Sequence, residues 1–529
     1  MASFHPGPAG AISDHGALVA ARTLRVLSAL LLGGLALLIA GSVLAFGSVY
    51  LWAHAPLFYT TGVLALIAIA RTLTVLYLRR RLGRSRFAFH SSGRWLVLDV
   101  EDSYGIRTWS FDLDRPLVPV PPLLLPGALF AVWVVIQMVP LPAAVANTLS
   151  GAEALPGAEA STDWRTMTIS SSKTTIGLTF LCWALVLHVV AAVALARRED
   201  QRRFRRFVAG LGLLLGALGL IQMATGTRRV YWFWKPVQGG GEVIFGPFMN
   251  RDHFGFYMLM VTFVAFGVLA EAYRRYRMLA GARANLRRQM VSLSSPAGAS
   301  LMYASVPAMA AAGSLIACVS RGALLAFLGS LALAATFLIR RRTAAAAVVG
   351  ACVTLAVLSW FGLGRIQQRM NAAADDASAR TIVWEDTLSR MGGRWLAGSG
   401  LNTFDRAMSG ATAWELPEGA SPWTGPYETS FVGLPHAGYR FIKDSPGMFW
   451  YGQAHNDYVQ ILAETGTVGL LLMVWAFGRA WAAARSDAWL LAALVAPALH
   501  AFLDFGFQLP AVVALYVSLA AIRPYRSAP

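Results

Sequence analysis

Stretches of apolar residues alternate with shorter polar segments along almost the whole chain. A helix of about 20 apolar residues crosses the hydrocarbon core of a bilayer and satisfies its own backbone hydrogen bonds. The pattern predicts an all-α polytopic membrane protein with about twelve transmembrane helices, the last two having a re-entrant hairpin as the alternative. The predicted spans are 25–46, 53–72, 123–141, 176–196, 207–225, 254–270, 300–319, 323–339, 343–361, 462–480, 488–505 and 508–522.

Two long polar segments interrupt the predicted spans. The first, 79–122, contains the apolar run Trp95-Leu96-Val97-Leu98, which we interpret as a short strand. The second, 362–454, is the largest soluble piece; it begins with an amphipathic helical pattern, Ala379 to Met391, stopped by Gly392-Gly393, and then becomes rich in Gly, Pro and aromatic residues. The chain therefore divides into an N-terminal membrane region, 1–170, with three helices and the first segment, and a second membrane domain, 171–522, with the second segment.

The charge distribution predicts the orientation in the membrane. The net charge is +18, yet only 14% of the residues are charged, against about a quarter in soluble proteins. With the amino terminus inside, the inner segments hold 30 Arg against 10 acidic residues, and the outer segments hold 12 Arg and 3 Lys against 17 acidic residues. This bias follows the positive-inside rule and places 79–122 in the cytoplasm and 362–454 outside. The charge thus orients the chain and suits anionic membrane lipids, and it requires no nucleic acid.

The strongest chemical signal follows the large outer segment. His455-Asn456-Asp457-Tyr458 leads into a predicted helix that carries Glu464, Gly466 and Gly469. This stretch resembles the hallmark of the O-antigen ligase and O-antigen polymerase superfamily, in which a His-Asn pair opens a helix bearing Glu and Gly. Four further segments resemble the same family in the expected order: Gly246 to Phe254 with Asn250 and Arg251; Ser320-Arg321-Gly322; Arg380 and Trp384 with Gly398-Ser399-Gly400 and Phe404; and Asp504, Gln508 and Pro510. The resemblance covers about 170–522.

The resemblance implies a GT-C-like integral-membrane glycosyltransferase of the bacterial inner membrane with its active site facing the periplasm. Its donor would be an undecaprenyl-pyrophosphate-linked glycan, and it would need neither a metal nor another cofactor. The acceptor stays open between lipid A-core (a ligase), a second lipid-linked repeat (a polymerase) and a protein hydroxyl (a protein O-glycosyltransferase); we favour the ligase type. The alternative from another functional class is a lipid or polysaccharide transporter, which would be expected to show internal repeats and broken helices.

The residue types suit this chemistry. A histidine that titrates near neutrality can take the proton of an acceptor hydroxyl, so His455 is the candidate general base. Arginine holds phosphate oxygens in bidentate fashion, which makes Arg321 the second candidate catalytic residue. The candidate pyrophosphate-binding residues are Asn250, Arg251, Arg321 and Arg380, and the candidate supporting residues are Asn456, Tyr458, Glu464 and Asp504.

Several of these residues also have plainer interpretations. His455 would otherwise cap the helix that it opens, and Arg321 would anchor a turn at the membrane interface. Glu464 is equally well explained as a packing residue paired with an arginine. His500 and Asp504 are spaced as a structural pair on one helical face. Single-residue expectations of the same kind are that His188 is a core histidine, that Tyr231 to Trp234 belong to an interfacial aromatic belt, and that Cys182, Cys318 and Cys352 lie inside spans.

Overall fold

A computed structural model of the chain describes residues 15–81, 95–102, 105–112, 120–150, 163–235, 244–281, 286–339, 373–409 and 452–523. The helices are α1 (His15–Leu44), α2 (Leu51–Arg81), α3 (Leu124–Met138), α4 (Ala143–Ser150), α5 (Ser171–Ala194), α6 (Arg198–Thr225), α7 (Arg251–Ala280), α8 (Leu286–Ser292), α9 (Pro296–Ala317), α10 (Arg321–Ile339), α11 (Ala373–Ser389), α12 (Phe404–Ser409), α13 (Asp457–Ala484), α14 (Ala488–His500) and α15 (Pro510–Ala520). The strands are β1 (Trp95–Asp102), β2 (Gly105–Asp112), β3 (Leu141–Pro142) and β4 (Trp164–Arg165), and 3-10 turns lie at Phe46–Ser48, Gly392–Trp395 and Gly506–Gln508.

The helices confirm a mostly α-helical, polytopic membrane protein. In the described part of the chain, seven helices are long and apolar enough to cross a membrane, judged by length and composition: α1, α2, α5, α6, α7, α9 and α13. Four shorter apolar helices, α3, α10, α14 and α15, coincide with four more of the expected spans. The remaining span, 343–361, lies outside the described residues, so the total of twelve stays a prediction.

The two polar segments are described in part. The predicted strand at Trp95 is present as β1, which pairs antiparallel with β2 from Trp95 opposite Asp112 to Asp102 opposite Gly105. In the second segment, α11 corresponds to the helix predicted at Ala379 to Met391, but it begins six residues earlier. Gly392, with φ of +48°, stands just beyond its end, as the sequence predicts. Most of the aromatic residues of this segment, from Trp414 to Tyr451, fall outside the described residues.

Helix α7 lies at the centre of the bundle and packs against α6, α9, α10 and α14. From Phe254 to Phe266 it is buried on every face and almost entirely apolar, which is the pattern of a helix surrounded by other helices. Phe256, Tyr257 and Phe263 are accordingly fully buried. The two cysteines in the described part differ: Cys318, at the end of α9, is buried within the bundle, whereas Cys182 is exposed on the surface of α5, which is one of the candidate spans, as predicted.

Helix α13 is broken near its start. Gly466 has φ of +66° and ψ of −171°, a conformation that is essentially restricted to glycine. The break frees backbone carbonyls, and four donors from distant parts of the chain bind them: Ser399 N to Ala463 O (3.0 Å), Gly400 N to Glu464 O (2.8 Å), Gln137 Nε2 to Glu464 O (3.0 Å) and Trp133 Nε1 to Thr465 O (2.9 Å). The Gly398-Ser399-Gly400 segment is thus a turn in which the amides of Ser399 and Gly400 are bound by carbonyls of α13.

We expect Gly466→Ala to destabilise the protein strongly. A Cβ at this position would lie 2.1 Å from the Leu396 carbonyl oxygen, and alanine rarely adopts the required backbone angles. Gly478→Ala, in the same helix, is the matched control because no atom lies within 4 Å of its added Cβ; alanine there should be neutral or slightly stabilising. Thermal unfolding of both variants in detergent would measure the difference, and equal unfolding temperatures would contradict the described break.

Candidate functional site

Asn456 and His455 form the start of α13. The Asn456 side chain accepts hydrogen bonds from the backbone N–H groups of Tyr458 (3.0 Å) and Val459 (3.2 Å) and so caps the helix. His455 precedes the cap with φ of +49°, in the left-handed region that non-glycine residues rarely occupy. Because Asn456 is the cap, the interpretation of His455 as the helix cap is wrong.

The imidazole of His455 faces a buried carboxylate instead. His455 Nδ1 lies 3.4 Å from Asp504 Oδ1, and the exposed fractions of the two side chains are 16% and 1%. Asp504 lies in the turn between α14 and α15. Burial alone would raise the pKa of Asp504, but the close approach of His455 and the influence of nearby His253 and Arg380 outweigh burial and lower that pKa below its ordinary range. Asp504 therefore stays ionised and can orient His455 and stabilise it when protonated.

This arrangement corrects the predicted pair of His500 and Asp504. Helix α14 ends at His500, so Asp504 lies beyond the helix and does not share a helical face with it. The His500 ring instead packs edge-on against Phe256, with ring centroids 4.9 Å apart, and its Nε2 lies 3.5 Å from Ser320 Oγ. His500 thus joins α14 to the beginning of α10, where Arg321 lies.

A second histidine, which the sequence reasoning did not select, borders the same turn. The rings of His253 and His455 both meet Phe505 edge-on, at centroid distances of 4.9 and 4.8 Å. His253 is buried, and its Nε2 has no hydrogen-bond partner among the described residues. The sequence signal that could have indicated His253 is its position in the segment containing Asn250 and Arg251. Its proximity to Phe505 cannot be read from the sequence, because the two residues are far apart in the chain.

Arg251 and Arg321 are the first residues of α7 and α10. The first turns of these helices touch, because a Cβ added to Gly255 would lie 2.7 Å from Ala323 Cβ and 3.2 Å from Ser320 Cβ. Two helix N-termini with an arginine on each therefore lie side by side, and both the helix dipoles and the guanidinium groups favour an anion there. Asn250 caps α7 by accepting a hydrogen bond from Asp252 N (2.8 Å), so its side-chain oxygen has a structural role; contact with a donor stays a proposal.

Helix α11 lies across the segments that carry the histidine and the carboxylate. Arg380 donates from a guanidinium nitrogen to the Leu503 carbonyl oxygen, next to Asp504. One turn later, Trp384 Nε1 donates to Ala454 O at 2.9 Å, next to His455. Arg380 is therefore positioned to hold the turn with Asp504, and its predicted contact with the donor remains untested. The structure brings Arg251, Arg321, Arg380, His455 and Asp504 to one end of the bundle, here called the site end.

Glu464 anchors a loop, and it pairs with no arginine among the described residues. Its carboxylate accepts hydrogen bonds from the backbone N–H groups of Asn402 (2.7 Å) and Phe404 (3.2 Å) and from Gln460 Nε2 (3.2 Å). It thereby caps α12 from the side of α13. Its packing interpretation gains support, but the expected arginine partner is wrong.

We expect Glu464→Ala to lower the stability of the protein by about 2–4 kcal/mol, because two buried backbone N–H groups would lose their acceptor. Glu385→Gln, on the exposed surface of α11, is the control and should leave stability unchanged. The measurement is thermal unfolding together with the transfer rate per folded molecule. A normal unfolding temperature combined with lost transfer would contradict the anchoring role and favour a direct catalytic one.

Three further groups of the bundle are structural. Tyr458 donates its hydroxyl to Ala498 O at 2.8 Å and stacks on Phe502 with ring centroids 4.1 Å apart. His188 binds Val517 O (2.7 Å) and Leu123 N (3.2 Å) through its two ring nitrogens, which confirms it as a core histidine. Lys173 forms a mostly buried ion pair with Asp405, a contact between α5 and α12 that the sequence did not predict. Within the described ranges, no group of three or more His, Cys, Asp or Glu residues is arranged to hold a metal ion.

The comparisons with known proteins bear on this site. Residues 306–474 match the protein-family model described as O-Antigen ligase. No curated protein matches the chain. The matched region runs from α9 into α13 and includes Arg321, Arg380 and His455, whereas Arg251 and Asp504 lie outside it. The region from α9 into α13 is therefore similar to an O-antigen ligase domain, which supports the resemblance to the O-antigen ligase-related superfamily.

Proposed function

We propose that the protein transfers a glycan from a polyprenyl-pyrophosphate carrier to an acceptor hydroxyl on the outer face of the bacterial inner membrane. The observation that carries this proposal is the convergence, at one end of a membrane bundle, of two arginine-bearing helix N-termini and a histidine paired with a buried carboxylate. The first group suits a phosphorylated leaving group and the second suits an acceptor hydroxyl. Together the two groups match the two reactants of a glycosyl transfer.

The arginines act on the donor. Attack on the anomeric carbon breaks its bond to oxygen, and the electron pair of that bond stays with the pyrophosphate. Arg321 and Arg251 hold the pyrophosphate oxygens and compensate the charge that develops there. Because the site borders hydrocarbon, where the effective dielectric constant is low, this compensation is stronger than it would be in water.

The His455–Asp504 pair acts on the acceptor. As the acceptor oxygen attacks, the Nε2 nitrogen of His455 takes its proton. Asp504 faces Nδ1 at 3.4 Å, which favours the tautomer with the proton on Nδ1 and stabilises the imidazolium that forms. A lipid A-core acceptor, and hence a ligase, is favoured by the His-Asn signature; a polymerase using a lipid-linked repeat or a protein O-glycosyltransferase would use the same residues.

The break in α13 is the observation that bears on the transporter alternative. Broken helices in transporters leave carbonyls and amides free to bind a substrate or ion. Here the carbonyl oxygens of Ala463, Glu464 and Thr465 all accept hydrogen bonds from other parts of the protein. The break therefore joins α13 to the polar segment and does not offer an ion site, which supports the transferase over the transporter.

The proposed orientation predicts opposite sidedness for two positions. Ser389, at the end of α11, and Ser294, after α8, are both exposed. In a variant without the native cysteines, Ser389→Cys should react with an impermeant thiol reagent from the periplasmic side and Ser294→Cys only after the membrane is opened. Labelling of both from the same side would contradict the orientation.

Deleting the gene tests the function itself. A glycan that normally leaves the undecaprenyl carrier should accumulate on it, and the corresponding surface product should disappear. Extracted carrier lipids and surface polysaccharide, compared by mass spectrometry, would show which product is lost and so separate ligase, polymerase and protein transferase. An unchanged set of carrier-linked glycans would contradict the proposal, and restoration by the wild-type gene is the control.

A further inference from the structure

A group of aromatic side chains covers the site end between α1 and α2 on one side and α6 and α7 on the other. We call it the aromatic cluster: Phe46, Tyr50, Trp52, Tyr231, Phe233 and Trp234. The ring of Phe46 lies at its centre, with centroids 5.2 to 6.4 Å from those of Tyr50, Trp52, Tyr231 and Trp234. Phe46 and Tyr50 are buried, whereas Trp52 and Phe233 are 56% and 68% exposed. The cluster is thus a supported platform with exposed rings.

The polar groups of three of these rings, Tyr50, Tyr231 and Trp234, are hydrogen-bonded within the protein. Trp234 Nε1 donates to Tyr50 Oη (2.9 Å), and Tyr50 Oη donates to Met249 Sδ (2.9 Å). Tyr231 donates its hydroxyl to the Leu44 carbonyl oxygen. Aromatic residues of an interfacial belt usually present their polar edge to head groups and water. Here the N–H group of the exposed Trp234 ring is already hydrogen-bonded within the protein, so the ring offers mainly apolar surface.

Backbone strain points to the same place. Seven non-glycine residues in the described part of the chain have left-handed backbone angles, and four of them lie here: Phe46, Ser48, Tyr231 and Trp232. Bulky residues adopt this conformation at a cost, and strained residues concentrate at functional sites. The other three are His455 itself, Val319 beside the Arg321 turn, and Asn402 at the Glu464 anchor. The strain therefore marks the aromatic cluster together with the elements of the site.

The cluster is built directly onto the segment that ends in Arg251. Gly47, with φ of +70°, packs so closely on Phe248 that an added Cβ would lie 2.6 Å from its ring. The Tyr50 hydroxyl reaches Met249, two residues before Arg251. A glycan whose pyrophosphate lay at Arg251 would extend outward from this segment, past the exposed rings.

We propose that the aromatic cluster is a glycan-binding platform on which the sugar rings of the lipid-linked donor stack. Pyranose rings carry an apolar face of C–H groups, which matches aromatic surface whose hydrogen-bonding groups are already used. This inference rests on the proposed function for the identity of the glycan, and it assigns the cluster to the sugar and not to the membrane.

The test uses the full chain in lipid nanodiscs and, as probe, the soluble oligosaccharide that mild acid releases from the carrier lipids of the host cell. We expect Trp52→Ala and Phe233→Ala to raise the Kd of this oligosaccharide about tenfold each, and Trp52→Tyr to restore most of the affinity, since it keeps an aromatic face. Tyr59→Ala is the matched control, because Tyr59 is 77% exposed on the same helix but lies outside the cluster. Thermal unfolding checks that each variant is folded. Unchanged Kd values in the two alanine variants, or no binding to the wild type, would overturn the proposal.

A second measurement separates the glycan from the membrane. In nanodiscs of brominated phospholipid, the fluorescence of Trp52, taken as the difference between wild type and Trp52→Tyr, should be quenched little and should change when the oligosaccharide binds. Strong quenching that the oligosaccharide leaves unchanged would identify a bilayer anchor and overturn the platform. If the oligosaccharide binds through the cluster but the protein transfers nothing, the proposed function fails and the platform stands. If the wild type transfers the glycan but the alanine variants bind the oligosaccharide with unchanged Kd, the platform fails and the proposed function stands.

Discussion

His455→Gln is expected to lower the transfer rate by about 100- to 10,000-fold, which is the usual contribution of a general base. Glutamine keeps hydrogen-bonding capacity but cannot accept a proton at neutral pH. The loss should appear in kcat, while binding of the lipid-linked donor stays near that of the wild type. Initial rates with purified donor in reconstituted vesicles would measure this loss.

His188→Gln provides the matched control. His188 is also a buried histidine of the bundle, but both of its ring nitrogens are bound to backbone groups of α15 and of the residue before α3. The rate per folded molecule should therefore stay close to that of the wild type. Near-native turnover by His455→Gln would show that His455 only positions the acceptor, and catalysis would then depend on the arginines and on proximity.

The second large effect is expected at the two helix N-termini. Arg321→Ala and Arg251→Ala should each lower transfer by about 100- to 1,000-fold, the range found when one charge-stabilising group is removed from an active site. Arg→Lys should recover only a small part of the rate, since lysine supplies a point charge and not a bidentate fork. Rates and protein levels in the membrane, measured for the same preparations, would separate catalysis from folding.

Arg202→Lys is the control for the arginine series. Arg202 lies in α6 near the opposite end of the bundle from the site, is 51% exposed and pairs with Glu271 at 3.1 Å; a surface ion pair contributes little, so the variant should transfer normally. Full activity of Arg321→Lys would reduce the role of this residue to that of a generic positive charge. Loss of the protein from the membrane would favour a structural role for the arginine.

Local signals in the sequence were sufficient for much of this site. Asn456 caps α13 because its side chain reaches the first free N–H groups of its own helix, which is a matter of two or three residues. Arg251 and Arg321 begin helices at the boundary between polar and apolar residues, and this boundary can be read from the sequence. Their placement at one end of the bundle followed from the alternation of spans and from the charge bias.

Contacts that depend on packing could not be read in this way. The spacing of His500 and Asp504 suggested one helical face, but α14 ends at His500 and turns the carboxylate toward His455. The junction of His253, Phe505 and His455 joins three segments that are far apart in the chain. The break at Gly466 lies within an apolar run that looks continuous, and only its contact with the Leu396 carbonyl shows why glycine is required there.

The break in α13, whose carbonyl groups are hydrogen-bonded to other parts of the chain, has a consequence for how the protein is made. Three of the donors that bind it, Gln137, Ser399 and Gly400, precede Glu464 by between 64 and 327 residues. During synthesis the polar segment leaves the ribosome before its acceptors on α13 exist, so it cannot dock until the first turns of α13 have been inserted beside α3. His455 and its carboxylate partner are then brought together only when α14 and α15 follow. The site is therefore among the last parts to assemble, and a chain that stops before residue 457 should insert its earlier spans yet leave the polar segment open to protease.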